Sequence, residues 1–88
     1  MAQTGNTGEG VQDLGARIED YANVPTQGAK VCEQYAEQAD ELMGTRQGGK
    51  TVIQHLLAAK EKLEEAANEL YSAADICGVE AISIEFGG

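Results

Sequence analysis

The chain has no tryptophan, one phenylalanine, one histidine, one proline and two cysteines in 88 residues. Each scarcity closes off a class of protein. With few large aromatics, the interior must be built from aliphatic and alanine side chains, which bury little area apiece. Two cysteines are too few for a disulfide scaffold, and with only His55 beside them they make a poor metal site. Cations are scarce too: Arg17, Lys30, Arg46, Lys50, Lys60 and Lys62 stand against 15 carboxylates, for a net charge of −9. A nucleic-acid binder clusters Lys and Arg to neutralise phosphates, so neither nucleic acid nor an anionic membrane is an expected partner. No apolar run reaches the roughly 20 residues that span a bilayer, so no membrane insertion is expected. The opening MAQTGNTGEG holds neither the basic nor the apolar segment of a secretory signal peptide. That points to synthesis in a reducing cytoplasm, and leaves open leaderless export or incorporation into a larger assembly.

What is present is helical patterning. The 42% hydrophobic content leans on alanine, which suits close helix packing but makes a thin core that gains from association. The expected fold is all-α: an antiparallel helical hairpin domain over residues 11–78, opened by a short N-terminal helix. A flexible tail over 1–10 precedes it, and an extended C-terminal strand or tail over 79–88 follows. Val11, Leu14, Ile18 and Tyr21 predict the short amphipathic helix over 11–22, stopped by Asn23-Val24-Pro25. Thr26 is placed to cap a second helix whose apolar positions are Val31, Tyr35, Ala39 and Leu42, ending at Met43. The glycine-rich GTRQGG then makes the turn. Ile53, Leu56, Lys60, Leu63, Ala67, Leu70, Ala74 and Cys77 alternate at spacings of three and four, so the third helix runs nearly four heptads. Gly78 is placed to end it. Beyond Gly78 the period becomes two, with Ile82, Ile84 and Phe86 on one face. The segment reads either as a strand that pairs with another chain or as an extended tail packed on the helices.

Folding back at the turn sets helix positions that sum to about 93 opposite one another. Cys32 then lies level with Glu61, and Cys77 roughly 24 Å further along, beyond disulfide reach. Both cysteines read as buried free thiols.

Gly44 to Thr51, GTRQGGKT, matches the phosphate-loop pattern G-x-x-x-x-G-K-[ST] at Gly44, Gly49, Lys50 and Thr51. In a true phosphate loop, backbone amides cradle the phosphates, the lysine reaches the terminal ones and the Thr hydroxyl holds magnesium. That loop follows a buried hydrophobic strand, whereas EQYAEQADELM here is amphipathic and helical. The glycines read instead as a helix–helix turn, with Thr51 capping the next helix. His55 has no catalytic partner at suitable spacing, and Glu61, Glu64, Glu65 and Glu69 read as a solvated face. The closing Gly87-Gly88 is shared with ubiquitin-like carriers, but those folds need several strands before it.

Tyr71-Ser-Ala-Ala-Asp75, in the last turns of the third helix, fits Y-x-x-x-[DE]. An acidic, leaderless hairpin with a Gly-containing turn and this motif resembles the small WXG-motif proteins of type VII secretion. The likeness covers residues 26–77 in architecture and two fixed residues in motif; GTRQGG stands in place of the Trp-containing turn. It implies that Tyr71 and Asp75 form part of an export signal, on one helical face, and that the protein works as a homodimer or a heterodimer with a related hairpin.

The function expected is therefore protein–protein interaction without catalysis or cofactor. Val31, Tyr35, Leu42, Ile53, Leu56, Leu63, Leu70, Ile82, Ile84 and Phe86 form the expected partner interface. A structural or assembly subunit, such as a virion or scaffold component locking onto neighbours through its termini, is the alternative. A small nucleotide-binding protein using Lys50 and Thr51 is the third reading.

Overall fold

The computed structural model describes residues 3–87, and side-chain surroundings from 7 to 86. The described residues are helical apart from Ala22 and the turn 44–46, and none is in a strand. The order is α1 (Gln3–Tyr21), α2 (Asn23–Met43), α3 (Gln47–Ile82) and a final π-helical turn, Ser83–Gly87. The chain forms two compact units. One is Val24–Ala67; the other joins Met1–Asn23 with Asn68–Gly88.

In the Val24–Ala67 unit, α2 and the first part of α3 run antiparallel. The Lys60 ammonium sits 3.3 Å from the Glu33 carboxylate, and a Cβ on Gly28 would come within 3.3 Å of Leu63. Glu33 and Lys60 are thus opposite each other, the register expected from the turn. The inward positions follow a strict alternation of three and four. On α2 they are Pro25, Ala29, Cys32, Ala36, Ala39 and Met43; on α3 they are Gly49, Ile53, Leu56, Lys60, Leu63 and Ala67. Small residues at these positions let helix backbones approach closely and gain dispersion contact where little area is available to bury.

The other unit packs α1 against the last part of α3 and the π-helical turn. Gly8, Val11, Gly15, Ile18 and Ala22 carry the same alternation, as do Leu70, Ala74, Cys77, Ala81 and Ile84. Gly15 is required by close approach: a Cβ there would lie 2.9 Å from Cys77 Cβ and 3.3 Å from the Ala74 carbonyl oxygen.

Several boundaries differ from expectation. The tail over 1–10 and the short helix over 11–22 are replaced by α1 from Gln3; Met1 and Ala2 lie outside the described residues. Glycine disfavours helix by about 1 kcal/mol relative to alanine, but Gly8 and Gly15 occupy inward positions, and at Gly15 a side chain would push the helices apart. The break near Pro25 shrinks to one residue. Pro25 falls in the first turn of α2, where its missing N–H has no helical partner to lose. The Ala22 amide still donates to the carbonyls of Ile18 (3.0 Å) and Glu19 (3.2 Å).

The C-terminal strand or extended tail over 79–88 is corrected too, with Gly88 outside the described residues. Gly78 is an interior residue of α3, Ile82 ends that helix, and Ile84 and Phe86 belong to the π-helical turn. Cys77, Ala81 and Ile84 continue the inward alternation, and a helix satisfies its own amides where a lone strand could not. The cysteines are free and half-buried, rather than fully buried as expected.

Candidate interaction surface

The distribution of apolar side chains is inverted relative to an ordinary globular domain. The buried hydrophobic residues are Ala22, Ala29, Ala36, Ala39, Ala67 and Ala81, at 7% exposure or less, and among the described residues no large side chain is fully buried. Many large ones stand outside: Leu14, Tyr21, Val24, Val31, Tyr35, Leu42, Val52, Leu57, Tyr71, Ile76, Val79, Ile82 and Phe86 are exposed. Exposed apolar groups along a helix make this the candidate interaction surface.

On α2 the exposed residues form a series of their own. Val24, Val31, Tyr35, Gln38 and Leu42, with the half-buried Gly28 between the first two, alternate by four and three, one residue behind the inward series. The apolar positions read from sequence in this helix mixed the two: Val31, Tyr35 and Leu42 belong to the outer series and Ala39 to the inner. Residues around the outer series are mostly amides, Gln27, Gln34 and Gln38, with Glu41 the one charge on that face. On helical spacing, Lys30, Glu33, Glu37 and Asp40 fall on other faces of α2.

Of the ten expected interface residues, Val31, Tyr35, Leu42, Ile82 and Phe86 are exposed. Ile53, Leu56, Leu63, Leu70 and Ile84 are half-buried and sit in the inward series of their own units. Among the exposed apolar residues, the expectation missed Leu14, Tyr21, Val24, Val52, Leu57, Ile76 and Val79. Val24 was legible as the start of the outer α2 series, while Val79 was hidden because α3 was expected to end at Gly78.

The phosphate-loop match dissolves into helix geometry. The turn is only Gly44–Arg46, and Gln47 to Gly49 open α3. Gly44 donates to the Asp40 carbonyl at 2.9 Å and Arg46 to that of Met43 at 3.0 Å. The Lys50 amide is committed to the Arg46 carbonyl at 3.1 Å. Thr51 does not cap the helix as expected; its hydroxyl donates to the Gln47 carbonyl at 3.1 Å, one turn back inside α3. Gly44 and Gly49 are there for space, since a Cβ would collide with Asp40 at the first and with the Met43 carbonyl at the second. His55 is exposed.

Tyr71 and Asp75 are both exposed, one helical turn apart on α3. Asp75 also lines a shallow groove of about 310 Å³ with Gln12, Gly15, Ala16, Glu19, Ala74 and Gly78. The polar groups there are two carboxylates and an amide, with no cation or nucleophile among them. Lys60 is the polar break in the inward series of α3. Its hydrogen bond to Glu33, followed by the charges of Glu33 and Glu64, holds the ammonium above its ordinary value of 10.5. Among the described residues, no cluster of His, Cys, Asp and Glu is placed to hold a metal ion, and no helix is long and apolar enough to cross a membrane. No protein-family model, curated protein or solved structure matches the chain.

Proposed function

We propose that this protein is a non-enzymatic interaction module, a helical hairpin that completes its apolar packing by binding a second copy of itself through α2. The observation that carries this reading is the inversion of apolar residues, alanine inside and Val24, Val31, Tyr35 and Leu42 outside. The low charge of this face permits a second copy. The chain bears −9, so two copies repel wherever carboxylates meet, yet the outer α2 face offers amides and apolar groups along most of its length. Its spacings of four, three, four, three and four read the same in both directions. A two-fold axis near Glu33 therefore sets Val24 against the partner's Leu42 and Val31 against the partner's Tyr35, a self-complementary contact.

The finer reading is a role in type VII secretion, with Tyr71 and Asp75 as part of an export signal. It is supported by the exposure of both side chains on one turn of α3. Light scattering and sedimentation across a concentration series test the module reading. A dimer mass that falls to the monomer on dilution is expected, with a melting temperature that rises with concentration. A monomer at every concentration, melting in one sharp concentration-independent transition, would overturn it.

A further inference from the structure

The charge of the chain is unevenly shared between its two compact units. The unit of Met1–Asn23 and Asn68–Gly88 holds eight side-chain carboxylates and one cation, Arg17. That cation is already engaged, with its guanidinium 3.1 Å from Asp13 on the same helix. After Lys62 the chain has no basic side chain at all. In this region Ile76, Val79, Ile82 and Phe86, spaced by three, three and four, are 62–82% exposed. Large aliphatic groups seldom stay this exposed over three successive turns without an occupant.

Helical spacing places the neighbouring charges. From Ile76, Glu69 and Glu80 fall along one edge of the apolar strip, and Asp75 and Glu85 toward the other. An apolar strip bordered by carboxylates on both sides disfavours a second copy of this chain, which would set carboxylates against carboxylates. It also repels an anionic membrane and nucleic acid. The complementary surface is an amphipathic helix with an apolar stripe and Lys or Arg on its flanks, docked along the helix as apolar anchors with a charged rim.

We infer that the Ile76–Phe86 face of α3 and the π-helical turn is a docking site for a basic amphipathic helix of another protein. The inference rests on the interaction-module reading but takes a different face and a different occupant. It can therefore fail alone: self-association through α2 is read from mass, and this site from peptide binding.

The test uses the full chain and three synthetic helical peptides of about 16 residues. One carries a leucine stripe flanked by lysines. The second has the same stripe flanked by glutamates. The third keeps the lysines and scatters the leucines around the helix. Fluorescence anisotropy should show the first binding at least about tenfold more tightly than either of the others. Its affinity should fall as salt rises from about 0.05 M to 0.5 M, because rim charges are screened. In the I76S/V79S/I82S chain binding should fall at least about tenfold while helical circular dichroism and oligomer mass stay unchanged. Phe86→Ser, in the last turn, gives a milder loss and serves as a second variant should the triple one unfold. Three results would overturn the inference: equal binding of the glutamate peptide, equal binding of the scattered-leucine peptide, or undiminished binding by the substituted chains. A dimer that dissociates on the I76S/V79S/I82S substitutions would assign the face to a second copy and overturn it as well.

Discussion

Lys60 and Glu33 meet across the antiparallel pair of α2 and α3, with 3.3 Å between ammonium and carboxylate, at a position where every neighbour in the inward series of α3 is apolar or glycine. The pair raises the Lys60 pKa, so the folded state holds that proton more tightly than the unfolded chain does. Its contribution to stability is complete below 10.5 and is lost as pH rises through the higher folded value. Thermal melts by circular dichroism should therefore show stability falling above pH 10.5. The quantity to measure is the difference between the native chain and Glu33→Gln. That difference should be largest at neutral pH and shrink on the alkaline side. A polar group in an apolar series serves register more than net stability. Lys60→Leu should thus leave the melting temperature unchanged or raise it, and a sharp fall would count against this account.

The glycines of α1 and α3 separate by what surrounds them. At Gly15 a Cβ would overlap Cys77 and crowd the Ala74 carbonyl, while at Gly10 nothing lies within 4 Å. Gly15→Val should therefore cost about 1–3 kcal/mol through overpacking. Gly10→Ala should stabilise by about 0.5–1 kcal/mol through helix propensity alone. Urea unfolding of the two variants checks both signs; equal effects would mean that α1 does not pack on α3 as described.

Gly78 distinguishes a continuous α3 from an extended C-terminus. It is exposed, interior to the helix and free of neighbours within 4 Å. Gly78→Ala should add about 0.5–1 kcal/mol and increase helical ellipticity. Proline there should cost about 3 kcal/mol. An unchanged spectrum in the alanine variant would favour an extended segment beyond Cys77.

These positions also explain what could be read from the chain beforehand. The long third helix, the turn and the antiparallel register were legible because Leu56, Leu63 and Leu70 are large apolar residues at heptad spacing and glycines break the pattern between 44 and 49. The inward face of α1 was not, because its markers are Gly8 and Gly15, which ordinarily signal loops. Only the count of sevens through Gly8, Gly15, Ala22, Ala29 and Ala36 reveals them as packing positions. The C-terminus was ambiguous for a different reason: Ile82, Ile84 and Phe86 satisfy a period of two, while Cys77, Ala81 and Ile84 satisfy the helical one. Ile84 belongs to both patterns, and contact with α1 decides between them. The exposed apolar surface was half legible, since large apolar residues were grouped together without separating the inward series from the outer one.

The outer α2 series gives a direct prediction. Val31 and Tyr35 lie nearest the proposed two-fold axis, on a face with almost no charge. Val31→Glu and Tyr35→Glu each place two carboxylates at the centre of a symmetric contact, so each should weaken dimerisation about a hundredfold or more. Helicity should hold, because both side chains already face solvent in the single chain. Ile82→Glu, on the other exposed strip, should leave the mass unchanged. Sedimentation of the three variants tests this, and a dimer that survives both α2 substitutions would move the contact elsewhere.

Tyr71 and Asp75 bring the secretion reading to a test that separates signal from scaffold. A residue that only holds the fold loses function in proportion to stability, whereas a recognition residue loses function with the fold intact. Asp75 is exposed, and Arg17, the one cation of its unit, pairs with Asp13, so Asp75→Ala should change stability by no more than about 0.5 kcal/mol. Tyr71 keeps 39% of its surface in solvent, so its truncation removes more packing, and Tyr71→Phe supplies the control that keeps the ring and deletes the hydroxyl. In a host with a type VII system, Asp75→Ala and Tyr71→Ala should both abolish appearance of the protein in the medium while intracellular levels and helicity persist. Glu at position 75 should restore export, because it returns the carboxylate to the same helical face. Normal export of both alanine variants would remove the export-signal role and leave the self-association of α2 as the functional reading.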